Sequence, residues 1–238
     1  MAKPFIISIF DENSQLMDIA GNISKIKQTL PEGVKLVAVS KTKPNEDIMI
    51  AYNGGHKIFG ENKVQDLTKK YEELPKDIEW HFIGHLQKNK VKYLAPFVQL
   101  IHGVDSLKLL TVMNKEGAKN NRIIPCLLQF HIAKEDTKFG LSLEEARDML
   151  DSEAFKAFMN MEIKGVMGMA TYTDDREQVS KEFRMLKNIF NTLKNEYFSG
   201  SEGFSEISMG MSDDFSLAVK EGSTMVRIGS IIFGERNY

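Results

Sequence analysis

The hydrophobic pattern of the chain alternates between two periods. Short apolar runs rich in β-branched residues recur between longer segments whose apolar residues lie three and four positions apart. An opening helix is predicted over about 13–29, where Leu16, Ile19, Ile23 and Ile26 follow the helical period. The apolar runs predict strands at 35–40, 57–60, 79–84, 99–104, 123–132, 163–170, 206–210 and 225–230.

Helical patterns fill the intervals between these strands. Ser142, with Glu145 three residues later, forms a capping box that opens the segment "SLEEARDMLDSEAFKAFMNM". In "DDREQVSKEFRMLKNIFNTLKNEYF", Val179, Phe183 and Leu186 begin a single apolar stripe. Such stripes are typical of helices packed on a core, so they do not indicate partner surfaces.

Eight strands alternating with helices predict an α/β fold, a (β/α)8 TIM barrel with an extra helix at its N-terminus. A length of 238 residues suits one such barrel. No break in composition divides the chain, so a single domain over residues 1–238 is expected. An open, doubly wound sheet is the alternative that this alternation also allows.

Composition excludes several classes of protein. A net charge of −2 argues against a nucleic-acid surface, which needs an excess of basic residues. Cys126 is the only cysteine, so no intrachain disulfide and no cysteine zinc site is expected. The first apolar run reaches Asp11 and Glu12 too early for a signal peptide, and no apolar stretch has the length of a membrane span. We therefore expect a cytoplasmic protein with no membrane partner.

The first strand ends on lysines, in "VKLVAVSKTKP". In a barrel, functional groups lie at the carboxyl ends of the strands. Lys41 shares a strand face with Val37 and Val39, so it stands at the mouth if those valines fill the interior. A partly desolvated amine beside Lys43 would have a lowered pKa and could attack a carbonyl to form a Schiff base. A solvated lysine at the end of a strand is the alternative.

The last two strands both run into loops rich in glycine and serine. "SMGMSDD" offers Ser208, Gly210 and Ser212, and "RIGS" offers Gly229 and Ser230. Barrel enzymes often bind phosphate with the loops after strands seven and eight. These loops therefore predict a phosphate site, with ordinary turn and capping chemistry as the alternative.

Arg227 lies within the eighth predicted strand, where an unpaired buried charge is costly. Its partner is expected to be either a carboxylate, such as Glu61, or an acceptor on a bound ligand. His81 and His85 have no third ligand at metal spacing, so no metal site is predicted. Histidines that donate or accept hydrogen bonds in the core or at the rim are the better interpretation.

Several long motifs resemble a known family. "AVSKTKP", "FGENKVQD", "EWHFIGHLQKNK", "KFGL", "GVMGMA", "SMGMSDD" and "GSTMVRIGSIIFGERNY" closely resemble the pyridoxal phosphate homeostasis proteins, relatives of the barrel half of alanine racemase. The match runs from the opening helix to Tyr238. The resemblance implies a barrel that binds pyridoxal 5′-phosphate (PLP) as a Schiff base on Lys41.

The resemblance also implies roles for other residues. Arg227 would face the pyridine nitrogen and Asn62 would lie beside the cofactor. Lys138 matches a lysine near the family's pocket, and a subsidiary role in passing the cofactor on is a hypothesis. The phosphate would be held by Ser208, Gly210, Ser212, Gly229 and Ser230.

Function follows from what an arginine does to the cofactor. A carboxylate would keep the pyridine nitrogen protonated, whereas an arginine leaves it unprotonated and weakens the ring as an electron sink. Racemase relatives take a second acid–base group from another domain, and this sequence ends at Tyr238, directly after the last strand. We expect a monomeric carrier that maintains PLP supply, with apo PLP-dependent enzymes as partners and no strong catalysis. A PLP-dependent racemase-like enzyme is the alternative, and a phosphate-binding barrel enzyme without cofactor is a third.

Overall fold

Eight parallel strands close into a barrel in the computed structural model, which describes residues 18–135 and 139–235. Each strand pairs with its neighbours in sequence, and β1 pairs with β8 to complete the ring. The barrel prediction is confirmed, and every predicted strand is present within a few residues of its expected bounds. The strands are β1 Lys35–Val39, β2 Ile58–Glu61, β3 Glu79–Phe82, β4 Leu100–Val104, β5 Ile124–Gln129, β6 Met161–Met167, β7 Glu206–Ser208 and β8 Met225–Ile228.

Helices connect the strands and cover the outside of the barrel. The segment that follows Ser142 begins with the predicted capping box but divides in two at Ser152, which is extended and caps the second part by accepting from the Phe155 amide. The helices are α1 Ile19–Thr29, α2 Asn45–Asn53, α3 Val64–Glu73, α4 Val91–Leu94, α5 Leu107–Lys119, α6 Leu143–Asp151, α7 Glu153–Lys156, α8 Arg176–Glu196, α9 Phe215–Lys220 and α10 Ser230–Phe233, with a 3₁₀ turn at Lys88–Lys90.

The extra N-terminal helix is α1, which precedes the first strand. Asp18 caps it by accepting from the Gly21 amide, and Asn22 donates to the carbonyl of Ile232 in α10. The predicted helix began earlier, and its residues 13–17 lie outside the described part of the chain.

Two apolar clusters follow from the alternation of side chains along each strand. Side chains that point outward pack against the helices and form the larger core, with Trp80, Phe59 and Phe183 completely buried. Side chains that point inward fill the barrel itself, so the interior is a packed core and not a pore. This inner cluster consists of Val37, Leu100, Leu127, Met167 and Met225.

Val37 belongs to the inner cluster, as the prediction for Lys41 requires, whereas Val39 belongs to neither cluster. The strand β1 ends at Val39, so Lys41 lies in the turn that follows it, at the carboxyl end of the barrel. Within residues 18–135 and 139–235, no helix is both long enough and apolar enough to cross a bilayer.

Candidate functional site

The turn that carries Lys41 is tight and strained. The amide of Lys43 donates to the carbonyl of Ser40 at 3.0 Å, which closes the turn directly after β1. Thr42 has a φ of +66°, a left-handed conformation that is uncommon for a β-branched residue. Backbone strain of this kind persists only where surrounding contacts impose it, and it concentrates at functional sites. Lys41 itself is half-buried.

A buried ion pair holds the base of this turn. Lys70 Nζ, on α3, lies 2.6 Å from Glu61 Oε1 and donates to the Ser40 carbonyl at 2.9 Å. The Ser40 hydroxyl donates to the same Glu61 oxygen at 2.7 Å. Glu61 is completely buried, and burial raises its pKa while the charge of Lys70 opposes that rise. The ion pair therefore fixes the residue that precedes Lys41.

Lys43 ties the turn to the end of the barrel. Its amine donates to the carbonyl of Phe233 at 2.7 Å and to that of Glu235 at 3.0 Å, at the end of α10. A lysine suits this place because cations stabilise the carboxyl ends of helices. The amine of Lys43 is thus occupied by backbone carbonyls at the end of the chain's last described helix.

The loop after β7 is shaped by Gly210, whose φ is +96°. A Cβ at this position would lie 2.6 Å from the Cβ of Ala218 and 3.0 Å from the Cα of Phe215. Asp214 accepts from the Met211 amide at 2.5 Å, and burial raises its pKa. The backbone can pass close to α9 only because residue 210 has no side chain.

The loop after β8 contacts the β7 loop on one side and approaches the end of β1 on the other. The Gly229 amide donates to the Ser212 hydroxyl at 3.4 Å, which joins it to the β7 loop. A Cβ on Gly229 would lie 3.2 Å from the carbonyl oxygen of Val39, so this loop also approaches the end of β1. Ser230 is exposed and begins α10. The structure thus brings Lys41, the β7 loop and the β8 loop to three adjacent strands.

Arg227 points into the barrel and is 5% exposed. Its Nη1 donates to the Ser208 hydroxyl at 2.5 Å and its Nη2 to the Gly168 carbonyl at 3.2 Å. Glu61, the carboxylate considered as its partner, pairs instead with Lys70. Burial lowers the pKa of Arg227 to about 10, so the guanidinium stays charged at neutral pH.

Ser208 and Asn62 lie in contrasting surroundings. The Ser208 hydroxyl is completely buried and contacts both Arg227 and His102. Asn62 is exposed directly after β2, and its backbone is so close to Gly84 that a Cβ there would lie 2.4 Å from the Asn62 carbonyl. Lys138 lies outside the described residues.

Two features of the site had no clear signal in the sequence. Glu61 and Lys70 are nine residues apart in sequence. Glu61 points outward from β2, and Lys70 points inward from α3 to meet it. The contact of His102 with Ser208 joins residues 106 apart. Histidines were predicted to make hydrogen bonds in the core or at the rim, but their partners depend on how the barrel closes. Among the described residues, no group of three or more potential ligands is placed to hold a metal ion.

Gly210 provides a first test of this geometry. Gly210→Ala places a Cβ in a left-handed conformation and against Ala218, so we expect the free energy of unfolding to fall by about 2 kcal/mol or more in chemical denaturation. Gly200→Ala is the matched control, because no atom lies within 4 Å of its added Cβ. Equal losses in the two variants would mean that Gly210 is not a constrained position.

Comparison with known proteins gives three kinds of match. The family model for alanine racemase, N-terminal domain, matches residues 15–237. The pyridoxal phosphate homeostasis protein of Aquifex aeolicus is 42% identical over 205 residues, which cover 86% of this chain and 88% of that protein. The Escherichia coli protein of the same name is 33% identical, over 93% of this chain and 98% of that protein.

Solved structures agree with these matches. The structure of PipY from Synechococcus elongatus with PLP bound is 32% identical, with a TM-score of 0.82, and the match covers 91% of this chain and 100% of that one. An alanine racemase from E. faecalis has a TM-score of 0.69 at 15% identity, over 92% of this chain and 58% of the racemase. The racemase likeness shows a shared fold and no more.

Proposed function

We propose a function from the premise that this chain belongs to the alanine racemase N-terminal domain family and, within it, to the pyridoxal phosphate homeostasis proteins. The chain binds PLP at the carboxyl end of its barrel and serves PLP homeostasis. The observation that carries this proposal is that the Lys41 turn and the β7 and β8 loops follow three neighbouring strands, with Gly229 close to the end of β1. The solved structure of PipY with PLP bound supports the choice of ligand.

Lys41 is the residue that we propose to hold the cofactor covalently. Its amine would condense with the PLP aldehyde to form a Schiff base, with the loss of one water. The closed turn around Thr42 and the ion pair beneath Ser40 support this role, because they fix the backbone on which the amine is carried. A positioned nucleophile loses less entropy on reaction than a mobile one.

The β7 and β8 loops are proposed to hold the phosphate. Gly210 and Gly229 allow close backbone approach, and Ser212 and Ser230 supply hydroxyl donors. The phosphate contact implied for Ser208 stays a prediction, since its hydroxyl already contacts His102 and Arg227. The place of Asn62 beside the cofactor also stays a prediction.

Arg227 supports a carrier rather than a strong catalyst. Bound PLP supplies an electron-withdrawing ring, and its strength depends on protonation of the pyridine nitrogen. A charged guanidinium at that nitrogen would donate a hydrogen bond to it and would not protonate it at neutral pH. Arg227 would therefore hold the ring in its less activated form.

The proposal extends to the protein's surroundings. We propose a cytoplasmic monomer, a single domain over residues 1–238, that passes PLP to apo PLP-dependent enzymes. Lys138 is the residue to examine for a subsidiary role in that transfer.

Titration with PLP tests this function. We expect one PLP bound per chain, with a visible absorption band, and much weaker binding of pyridoxal, which lacks the phosphate that the two loops would contact. No absorbance change with PLP would contradict the proposal, and equal affinity for pyridoxal would remove the phosphate site from it.

The same sample incubated with L- or D-amino acids should racemise them negligibly. Turnover at about 1 s⁻¹ or faster, a common enzyme rate, would favour the racemase-like alternative.

A further inference from the structure

A chain of polar side chains crosses the interior of the barrel beneath the site. His81 Nδ1 lies 3.0 Å from His102 Nε2, and His102 Nδ1 lies 2.9 Å from the Ser208 hydroxyl. Arg227 Nη1 donates to the same hydroxyl at 2.5 Å. The four residues come from β3, β4, β7 and β8, and none is more than 5% exposed. Polar groups buried to this degree are costly unless they are hydrogen-bonded, so their presence inside the barrel calls for a structural or functional explanation.

The direction of the hydrogen bonds follows from Ser208. In the described part of the protein, the partners of its hydroxyl are His102 and Arg227. Arginine only donates, so the Ser208 hydrogen can go only to His102 Nδ1, which must be unprotonated. The hydrogen of a neutral His102 then lies on Nε2 and is donated to His81 Nδ1. The opposite direction would leave a buried hydroxyl hydrogen without an acceptor.

Both imidazoles have to be neutral for this arrangement. A proton on His102 Nδ1 would face the Ser208 hydroxyl and the charged guanidinium behind it. Burial lowers the pKa of His81 to about 3 and that of His102 well below its ordinary value, and the charge of Arg227 adds to the effect at His102. A neutral chain is consistent with the geometry at every contact.

Through Ser208, the chain of polar side chains gives Arg227 a hydrogen-bond acceptor of the kind that a carboxylate would otherwise provide. Among the described residues, no carboxylate lies within ion-pair distance of Arg227, although the charge of Asp214 raises its pKa from further away. The guanidinium donates its printed hydrogen bonds to the Ser208 oxygen and the Gly168 carbonyl. Because Ser208 donates toward the histidines, its oxygen presents lone pairs to the cation. An acceptor without charge fixes the guanidinium without neutralising it, and leaves its other N–H groups for a ligand.

We propose that His102 and His81 are positioning residues, which orient the Ser208 hydroxyl so that it holds the Arg227 guanidinium in place for the ligand. The part of this inference that concerns the pyridine nitrogen rests on the proposed function, whereas the direction of the chain does not. His102 acts through Ser208 and Arg227 and would not contact the cofactor.

The direction of these hydrogen bonds can be tested in the protein without cofactor. In ¹⁵N NMR of protein labelled at its histidine rings, we expect His81 and His102 to carry a proton on Nε2 and none on Nδ1 at neutral pH. A protonated Nδ1 on His102, or an imidazolium at either residue, would overturn the inference. This measurement decides the matter even if PLP does not bind.

Two substitutions test the effect on the ligand. His102→Gln keeps an acceptor for Ser208 and a donor for His81, whereas His102→Leu keeps neither. We expect His102→Leu to weaken PLP binding about tenfold, the effect of one lost hydrogen bond, and to shift the ¹⁵N resonance of the pyridine nitrogen. His102→Gln should retain both properties to a large extent.

Leu100→Val is the control for packing, because Leu100 lies on the same strand within the inner cluster and outside the chain of polar groups. If His102→Leu and His102→Gln alter the pyridine resonance and the affinity no more than Leu100→Val does, His102 has no positioning role. If His102→Leu does not fold, Ser208→Ala takes its place, because it removes the hydroxyl that joins His102 to Arg227; a pyridine resonance shifted no more than in Leu100→Val would then overturn the inference.

Discussion

Replacement of Lys41 by alanine is expected to abolish the covalent attachment of PLP while the barrel remains folded. The substitution removes the amine that we propose condenses with the aldehyde, so the visible band of the Schiff base should disappear. The free energy of unfolding should change by less than about 1 kcal/mol, because the side chain is half-buried at the mouth and lies outside the inner cluster. Absorption spectroscopy after addition of PLP measures the first effect, and chemical denaturation measures the second.

Lys43→Ala is the matched control for this experiment. Lys43 lies two residues further along the same turn, but its amine contacts the carbonyls of Phe233 and Glu235 at the end of α10. The variant should keep the visible band. If the band survives in Lys41→Ala and disappears in Lys43→Ala, the covalent link is on Lys43, and the proposal for Lys41 is wrong.

Removal of Lys70 is expected to cause the largest loss of stability among the substitutions considered. Lys70→Met leaves the completely buried Glu61 carboxylate without its counter-ion, and breaking a buried ion pair in this way typically costs about 3–5 kcal/mol. The Ser40 carbonyl also loses a donor, so the Lys41 turn should loosen and PLP binding should weaken. Denaturation curves and PLP titration of the same variant measure both effects.

The control for Lys70 is its neighbour Lys69, which makes an exposed contact with Glu73 at 4.0 Å. Lys69→Met should cost less than about 1 kcal/mol, as exposed pairs do. Adding Glu61→Gln to Lys70→Met should restore part of the lost stability, because the uncompensated charge is then absent. If Lys70→Met is no more destabilising than Lys69→Met, the buried pair does not hold the site.

The pH dependence of Lys70→Met provides a second check. Burial raises the pKa of Glu61 and Lys70 lowers it, so removal of the lysine raises the folded-state pKa further. The folded variant then binds a proton more readily than the unfolded chain. Its stability relative to the parent should therefore recover as the pH falls toward 4.5, the ordinary value for glutamate, and decline again as the pH rises.

Much of the fold follows from local pattern. Alternation of apolar runs with helical stripes is imposed by the barrel itself, since each strand is covered by the next helix, so strand number and order could be predicted. The division of the helix at Ser152 was not predicted, because helical apolar spacing continues through "DSEAF". There the serine caps a new helix, a choice that depends on the packing of α6 and α7 and not on periodicity.

Some residues of the site could likewise be predicted from the sequence, whereas the contacts of others could not. Lys41, Gly210 and Gly229 could be placed from their positions at strand ends, because the barrel gathers those ends at one mouth. The partners of Arg227 could not, since they depend on which inward side chains meet after the barrel closes. Glu61 was a reasonable partner by charge, yet it points outward toward Lys70, and the neutral Ser208 hydroxyl contacts the arginine instead.

The central claim is a covalent link between PLP and one lysine, and borohydride reduction of the reconstituted protein followed by peptide mapping tests it most directly. We predict one reduced cofactor per chain, attached at Lys41. A label found on another lysine, or no label after incubation with PLP, would contradict the account.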